Sequence, residues 1–194
     1  RELLRSRAIW TIVAGMALCS LSLSFQTTQL TVAIQALGLS AASASSLIAV
    51  YAMGVIAGRI GSGIALDILP TRLVAFVALA LPAVGLSLMA VGSTDYSLLV
   101  IAMLTLGLSL GAEGDIAGFL VMTYFPTKFY STGLGIIFGA ISFAAGIGGV
   151  MLSGMLDHYG SFQIFLYTCA IGAAIGGTLF LTLRRDNQVD GAAA

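Results

Sequence analysis

The chain has 194 residues, 59% hydrophobic and only 8% charged, with eight basic and eight acidic residues and a formal net charge of zero. A soluble domain carries roughly 25% charged residues, so a soluble enzyme or a disordered chain is excluded, and the lack of basic excess leaves no footprint for nucleic acid. The composition reads as an integral membrane protein whose first partner is the lipid bilayer.

In chain order, six apolar runs cover Ala8–Ala36, Leu47–Leu66, Leu73–Val91, Leu98–Phe125, Thr132–Leu156 and Phe162–Leu183. Each can supply the roughly 20 residues of a membrane-crossing helix, and their continuous apolar character favours helices over barrel strands. The breaks are Gly38–Ser46, Asp67–Arg72, Gly92–Ser97, Pro126–Ser131 and Asp157–Ser161. Residues 1–185 therefore form one all-α bundle, and 186–194 read as a disordered tail.

Charge placement sets the orientation. Arg1, Arg5 and Arg7 precede the first run; Arg59 and Arg72 flank the end of the second; Lys128 lies between the fourth and fifth; Arg184 and Arg185 follow the sixth. All eight fall on one side of a six-span path, which predicts cytoplasmic termini, as in a multi-pass protein of a bacterial inner membrane. The opening residue is Arg1, which predicts a processed chain or an excerpt of a longer one.

A repeat is visible as well. Ser62-Gly63-Ile64-Ala65-Leu66-Asp67 closes the second run, and Ser153-Gly154-Met155-Leu156-Asp157 closes the fifth, 91 residues on. The first and fourth runs, and the third and sixth, are offset by about 90. Two three-helix units of opposite topology are the pattern of a secondary-transporter half.

The segment Gly58-Arg59-Ile60-Gly61-Ser62-Gly63-Ile64-Ala65-Leu66-Asp67, then Arg72, resembles the loop signature of the major facilitator superfamily. Gly63, Asp67 and Arg72 match that pattern, while Ile68 and Pro70 replace its usual basic residue and glycine. Gly111-Ala112-Glu113-Gly114-Asp115 with Tyr124-Phe125, and Gly146-Ile147-Gly148-Gly149 leading to Gly154 and Asp157, are similar to later helices of the same half. The resemblance implies helices seven to twelve of a twelve-helix carrier, near the oxalate/formate and monocarboxylate branches. It also implies a missing N-terminal six-helix half as partner, and a gating loop at Gly63, Asp67 and Arg72. Arg59 matches an arginine that holds an anionic substrate in those branches. Val55 stands where the monocarboxylate type has an Asp, and the fifth run lacks the lysine of oxalate exchangers, which argues against dicarboxylate exchange and leaves a monoanion open.

The residues suggest their own chemistry. An ionisable group in the hydrocarbon layer costs roughly 2.5–3.5 kcal/mol, so Arg59 must reach a substrate, pair with an acid or snorkel to the surface. Glu113 and Asp115 are about 200° apart on a helix and face different surroundings; a carboxyl at that depth suits proton binding or pairs with a neighbour. Ser22, Gln26 and Gln29 fall at i, i+4 and i+7, a polar face that lines a path or bonds another helix. The glycine pairs Gly54/Gly58, Gly107/Gly111, Gly114/Gly118, Gly135/Gly139 and Gly172/Gly176 suit close helix contact.

Cys19 and Cys169 lie inside apolar runs, and no CxxC, HExxH or histidine cluster exists, so neither a metal nor a cofactor is expected. The resulting expectation is a non-enzyme: an alternating-access transporter of a small organic anion, coupled to protons or working by exchange. The alternatives are an efflux pump for an uncharged or drug-like solute and, remotely, a rhomboid-like protease using the GxSxG at Gly107–Gly111 with His158. A homodimer of six-span chains would also restore twelve helices.

Overall fold

A computed structural model describes residues 6–92 and 94–183. Arg1, Arg5, Arg184, Arg185 and the tail 186–194 lie outside the described residues. Six helices are long and apolar enough to cross a membrane: α1 Arg7–Ala36, α2 Ala41–Ile68, α3 Thr71–Ala90, α4 Tyr96–Tyr124, α5 Thr127–Tyr159 and α6 Gln163–Leu181. Each apolar run falls on one of them.

The helix starts are set by polar side chains that hydropathy alone passes over. Ser40 Oγ accepts the Ser43 amide at 3.2 Å, and Asp95 Oδ1 accepts the Ser97 amide at 2.9 Å, each taking up a donor that the first turn leaves unpaired. Residues 41–46, expected in a break, are therefore the first turns of α2. Their serines bond back to their own helix, Ser45 to the Ala41 carbonyl at 2.9 Å and Ser46 to Ala42 at 3.0 Å. The connections after α1, α3 and α5 turn through glycines of positive φ, Gly38, Gly92 and Gly160, a conformation that a side chain resists. The two other connections turn at Pro70 and Pro126, whose fixed φ leads into the next helix.

The helices pack as two inverted triplets, α1–α3 and α4–α6. The second helix of each triplet lies against the first helix of the other: α2 on α4, and α5 on α1. The third helix of each packs likewise, α3 on α4 and α6 on α1, while α3 and α6 meet each other at Ala80 and Gly177. The contacts repeat residue by residue. Gly58 of α2 abuts the Leu108 backbone of α4, and Gly148 of α5 abuts the Leu21 carbonyl of α1. Gly85 of α3 faces the Ala102 carbonyl of α4, and Gly176 of α6 faces the Gly15 carbonyl of α1.

Second and third helices thus repeat at 90 and 91 residues, as the sequence suggests, but the first helices repeat at 87. The added residues lie in the helices and not in the link between them: α5 begins 21 residues before Gly148, whereas α2 begins 17 before Gly58. Of the five glycine pairs, Gly54/Gly58 interlocks with Gly107/Gly111, and Gly172/Gly176 packs on α1. Gly118 meets only the Tyr130 hydroxyl, while Gly114, Gly135 and Gly139 have open space where a Cβ would stand. α2 and α5 are the least covered helices, with 22% of an apolar 18-residue stretch buried in each against 44–50% in the others.

Gly58→Val should therefore cost about 1–3 kcal/mol through overpacking against α4, read as a lower thermal midpoint of the detergent-solubilised protein. Gly61→Ala, which meets open space on the same helix, should leave that midpoint unchanged.

Candidate functional site

The site starts from an irregularity in α1. The helix is α-helical to Cys19, tightens to a 3₁₀ turn at Ser20–Ser22, widens to a π turn at Phe25–Gln29, and resumes at Leu30. Its hydroxyls supply the cause. Ser20 donates to the Met16 carbonyl at 2.8 Å, Thr27 to Leu23 at 2.9 Å and Thr28 to Ser24 at 2.6 Å, contacts that bend a helix by competing for its carbonyls. Ser24 instead reaches across to the Ala145 carbonyl of α5 at 2.5 Å.

This irregular turn directs Ser20, Ser22 and Gln26 inward, where they are 3%, 1% and 8% exposed. Gln26 Nε2 donates to Ser22 Oγ at 2.9 Å, and the Tyr51 hydroxyl of α2 donates to Gln26 Oε1 at 3.4 Å. Gln29, expected on the same face, is half-buried and makes no hydrogen bond among the described residues. The π turn adds a residue per turn and rotates it away from the pair.

Across from α1, Ser20 Oγ donates to Glu113 Oε1 of α4. One hydroxyl proton serves two acceptors here, Met16 O and Glu113. When the carboxyl is ionised, Ser20 donates to it. When it is protonated, its own O–H can donate to Ser20, which then donates to Met16. The arrangement accommodates both protonation states of Glu113. Beside it lies a cavity of ≈ 10 Å³, lined among others by Ser20, Gln26, Ser109, Glu113 and Pro82.

The 87-residue registration of the first helices aligns these groups. It places Ser22 on Ser109 and Gln26 on Glu113. The two i, i+4 pairs, Ser-x3-Gln on α1 and Ser-x3-Glu on α4, are therefore equivalents across the repeat. Gln26, Ser109 and Glu113 line one cavity where the triplets meet, with Ser22 behind Gln26, and the single difference between the pairs is an amide for a carboxyl.

Asp115 faces elsewhere, as its angle from Glu113 requires: Ser62 of α2 donates to its Oδ2 at 3.4 Å. Arg59, also on α2, is exposed, and its side chain makes no hydrogen bond or ion pair among the described residues. The residues expected in a gating loop are helical: Gly63 and Asp67 lie in the last turns of α2 and Arg72 in the first turn of α3. Asp67 and Arg72 are exposed, with no ion pair between them among the described residues, and Gly63 meets open space. The GxSxG serine, Ser109, is buried mid-helix, while His158 is exposed in the last turn of α5 with its ring edge against Tyr159, 4.7 Å between centroids. No nucleophile–base pair forms from them. No group of three or more metal-ligating side chains occurs among the described residues.

The sequence model of the Major Facilitator Superfamily matches residues 8–193. The chain belongs to the major facilitator superfamily. No curated protein and no solved structure gives a match. Membership makes it a secondary transporter: a multi-pass membrane protein that acts on a small-molecule substrate and not an enzyme. The six helices are a half of that fold, two inverted three-helix repeats.

Ser20, Tyr51 and Ser62 had no role in the sequence reading of these clusters, and Ser109 had only that of a remote protease nucleophile. Ser109 and Glu113 carried a signal, since i, i+4 spacing puts them on one face. Ser20, Tyr51 and Ser62 reach their partners only across helices.

Removing the Ser20 hydroxyl takes a donor from Glu113. Ser20→Ala should cost about 1–2 kcal/mol of stability in denaturant unfolding. The same change in a Glu113→Gln background should cost less, and a double-mutant cycle measures the difference.

Proposed function

We propose that the chain forms one wall of an alternating-access carrier for a small, monocarboxylate-like organic anion, with Glu113 as the proton-coupling group. The observation that carries the coupling part is the equivalence of Gln26 and Glu113. At the meeting of the two repeats, where carriers of inverted topology place substrate and coupling-ion sites, one strand of the pair has a fixed neutral amide and the other an ionisable carboxyl. Ser20 supports both states of that carboxyl. Asp115, bonded to Ser62 on the opposite side of α4, is the structural acid of the two.

The anion part rests on Arg59. An unpaired guanidinium facing hydrocarbon is costly, so the open face of α2 that bears it borders an aqueous path or another protein surface. The same argument assigns the uncovered sides of α2 and α5 to contact with an N-terminal six-helix half. Asp67 and Arg72 sit at the end of that face, where a gating loop of the carrier belongs. Positive-inside charge supports cytoplasmic termini in a bacterial inner membrane.

In proteoliposomes of the full-length protein, Arg59→Ala should lower monocarboxylate uptake at least about tenfold, equivalent to about 1.4 kcal/mol. Unchanged uptake of every carboxylate tested would sink the anion site. Glu113→Gln should make uptake insensitive to an imposed pH gradient, while Asp115→Asn should keep that sensitivity. The reverse pattern would transfer the coupling role to Asp115.

A further inference from the structure

We infer that the cavity between α1, α3 and α4 is a built site for one water molecule, which joins the Ser109–Glu113 pair to the Gln26–Ser22 pair. The inference deepens the reading of Glu113 and rests on it for the water's role in transport, though not for the water's presence.

Ser109 carries the argument. It is 4% exposed, lines the cavity, and its hydroxyl makes no hydrogen bond among the described residues. Two nearby hydroxyls bond to their own helix: Ser87 donates to the Ala83 carbonyl at 2.6 Å and Thr105 to Ile101 at 3.0 Å. Ser109 does not, so its polar atom is directed into the cavity. Among the described residues no side-chain oxygen or nitrogen is both sealed off and unpartnered, so the Ser109 oxygen, which has no protein partner, stays reachable by a water-sized molecule, the partner that such groups otherwise find.

The cavity has the size and the lining for that partner. Its ≈ 10 Å³ matches about one water, which requires roughly two to four polar neighbours. Ser20, Gln26, Ser109 and Glu113 supply four. The rest of the wall is Cys19, Leu23, Leu79, Pro82 and Leu110, which leaves no room for an organic solute. Pro82 contributes an apolar ring and no backbone donor. The donor count closes: Ser109 donates to the water, and the water donates to the Glu113 carboxyl and to the Gln26 side-chain oxygen. The other titratable groups that face Glu113 are the Cys19 thiol on α1 and the Tyr51 phenol on α2.

Infrared difference spectroscopy of the full-length protein in lipid, stepped in pH, tests this. The wild type should show the O–H stretch of an isolated water that moves down in oxygen-18 water. It should also show a carboxyl C=O stretch that Glu113→Gln removes. Ser109→Ala should abolish the water band and move the Glu113 stretch to higher wavenumber, as a hydrogen bond is lost. Ser87→Ala, which removes a hydroxyl bonded to its own helix, should leave both bands in place. A wild type without an isotope-sensitive isolated water band overturns the water site with no variant needed. So does a Ser109→Ala protein that keeps both bands unmoved. A water band lost in Ser109→Ala, beside a Glu113 band that never responds to pH, upholds the water site and overturns the coupling reading.

Discussion

Two backbone contacts govern this molecule. At Gly58 against Leu108, and at Gly148 against Leu21, a helix from one triplet comes so near the first helix of the other that no Cβ fits between them. In lipid there is little hydrophobic force between helices, so association depends on van der Waals packing, which small residues allow at close range. These contacts fix how far each second helix slides along its partner. Gly85 on Ala102 and Gly176 on Gly15 fix the third helices in the same way. The register of the whole six-helix unit follows from four glycines in two equivalent pairs.

That register gives the polar groups their meaning. Ser22 and Gln26 occupy on α1 the positions that Ser109 and Glu113 occupy on α4. The 3₁₀ and π turns in α1 have no counterpart in α4, which is one uninterrupted α-helix. The repeat is therefore symmetric in its packing and asymmetric at its centre, both in helix geometry and in the exchange of amide for carboxyl. That asymmetry confines the ionisable chemistry to one side of the cavity, and the donor-rich irregular helix on the other side meets it.

The charged residues divide by what covers them. Glu113 has a serine from a neighbouring helix, and Asp115 has another, because α2 and α3 pack on α4 while α1 faces it across the cavity. Arg59, Asp67 and Arg72 lie on or beside α2, one of the two least covered helices, and they find no ion pair among the described residues. The two acids held by hydrogen bonds sit inside the six-helix unit; the charges without such a bond sit on or beside one of its least covered helices.

The sequence by itself determined the membrane class, the six spans and the existence of a repeat, because each depends on composition or on periodicity along one chain. It also determined that Glu113 and Asp115 face apart, since two residues on a helix are about 200° from each other. It did not reveal that the first helices repeat at 87 residues, because the extra residues are helical ones at the start of α5 that no motif marks. Nor did it reveal that Gln29 leaves the polar face: even spacing assumes a regular helix, and the hydroxyls of α1 break that regularity. Only the tertiary structure decided that Ser20 meets Glu113, that Tyr51 reaches Gln26 and that Ser109 faces a cavity. Each of those contacts depends on how far one helix slides along another, and glycine packing across the repeat sets that distance.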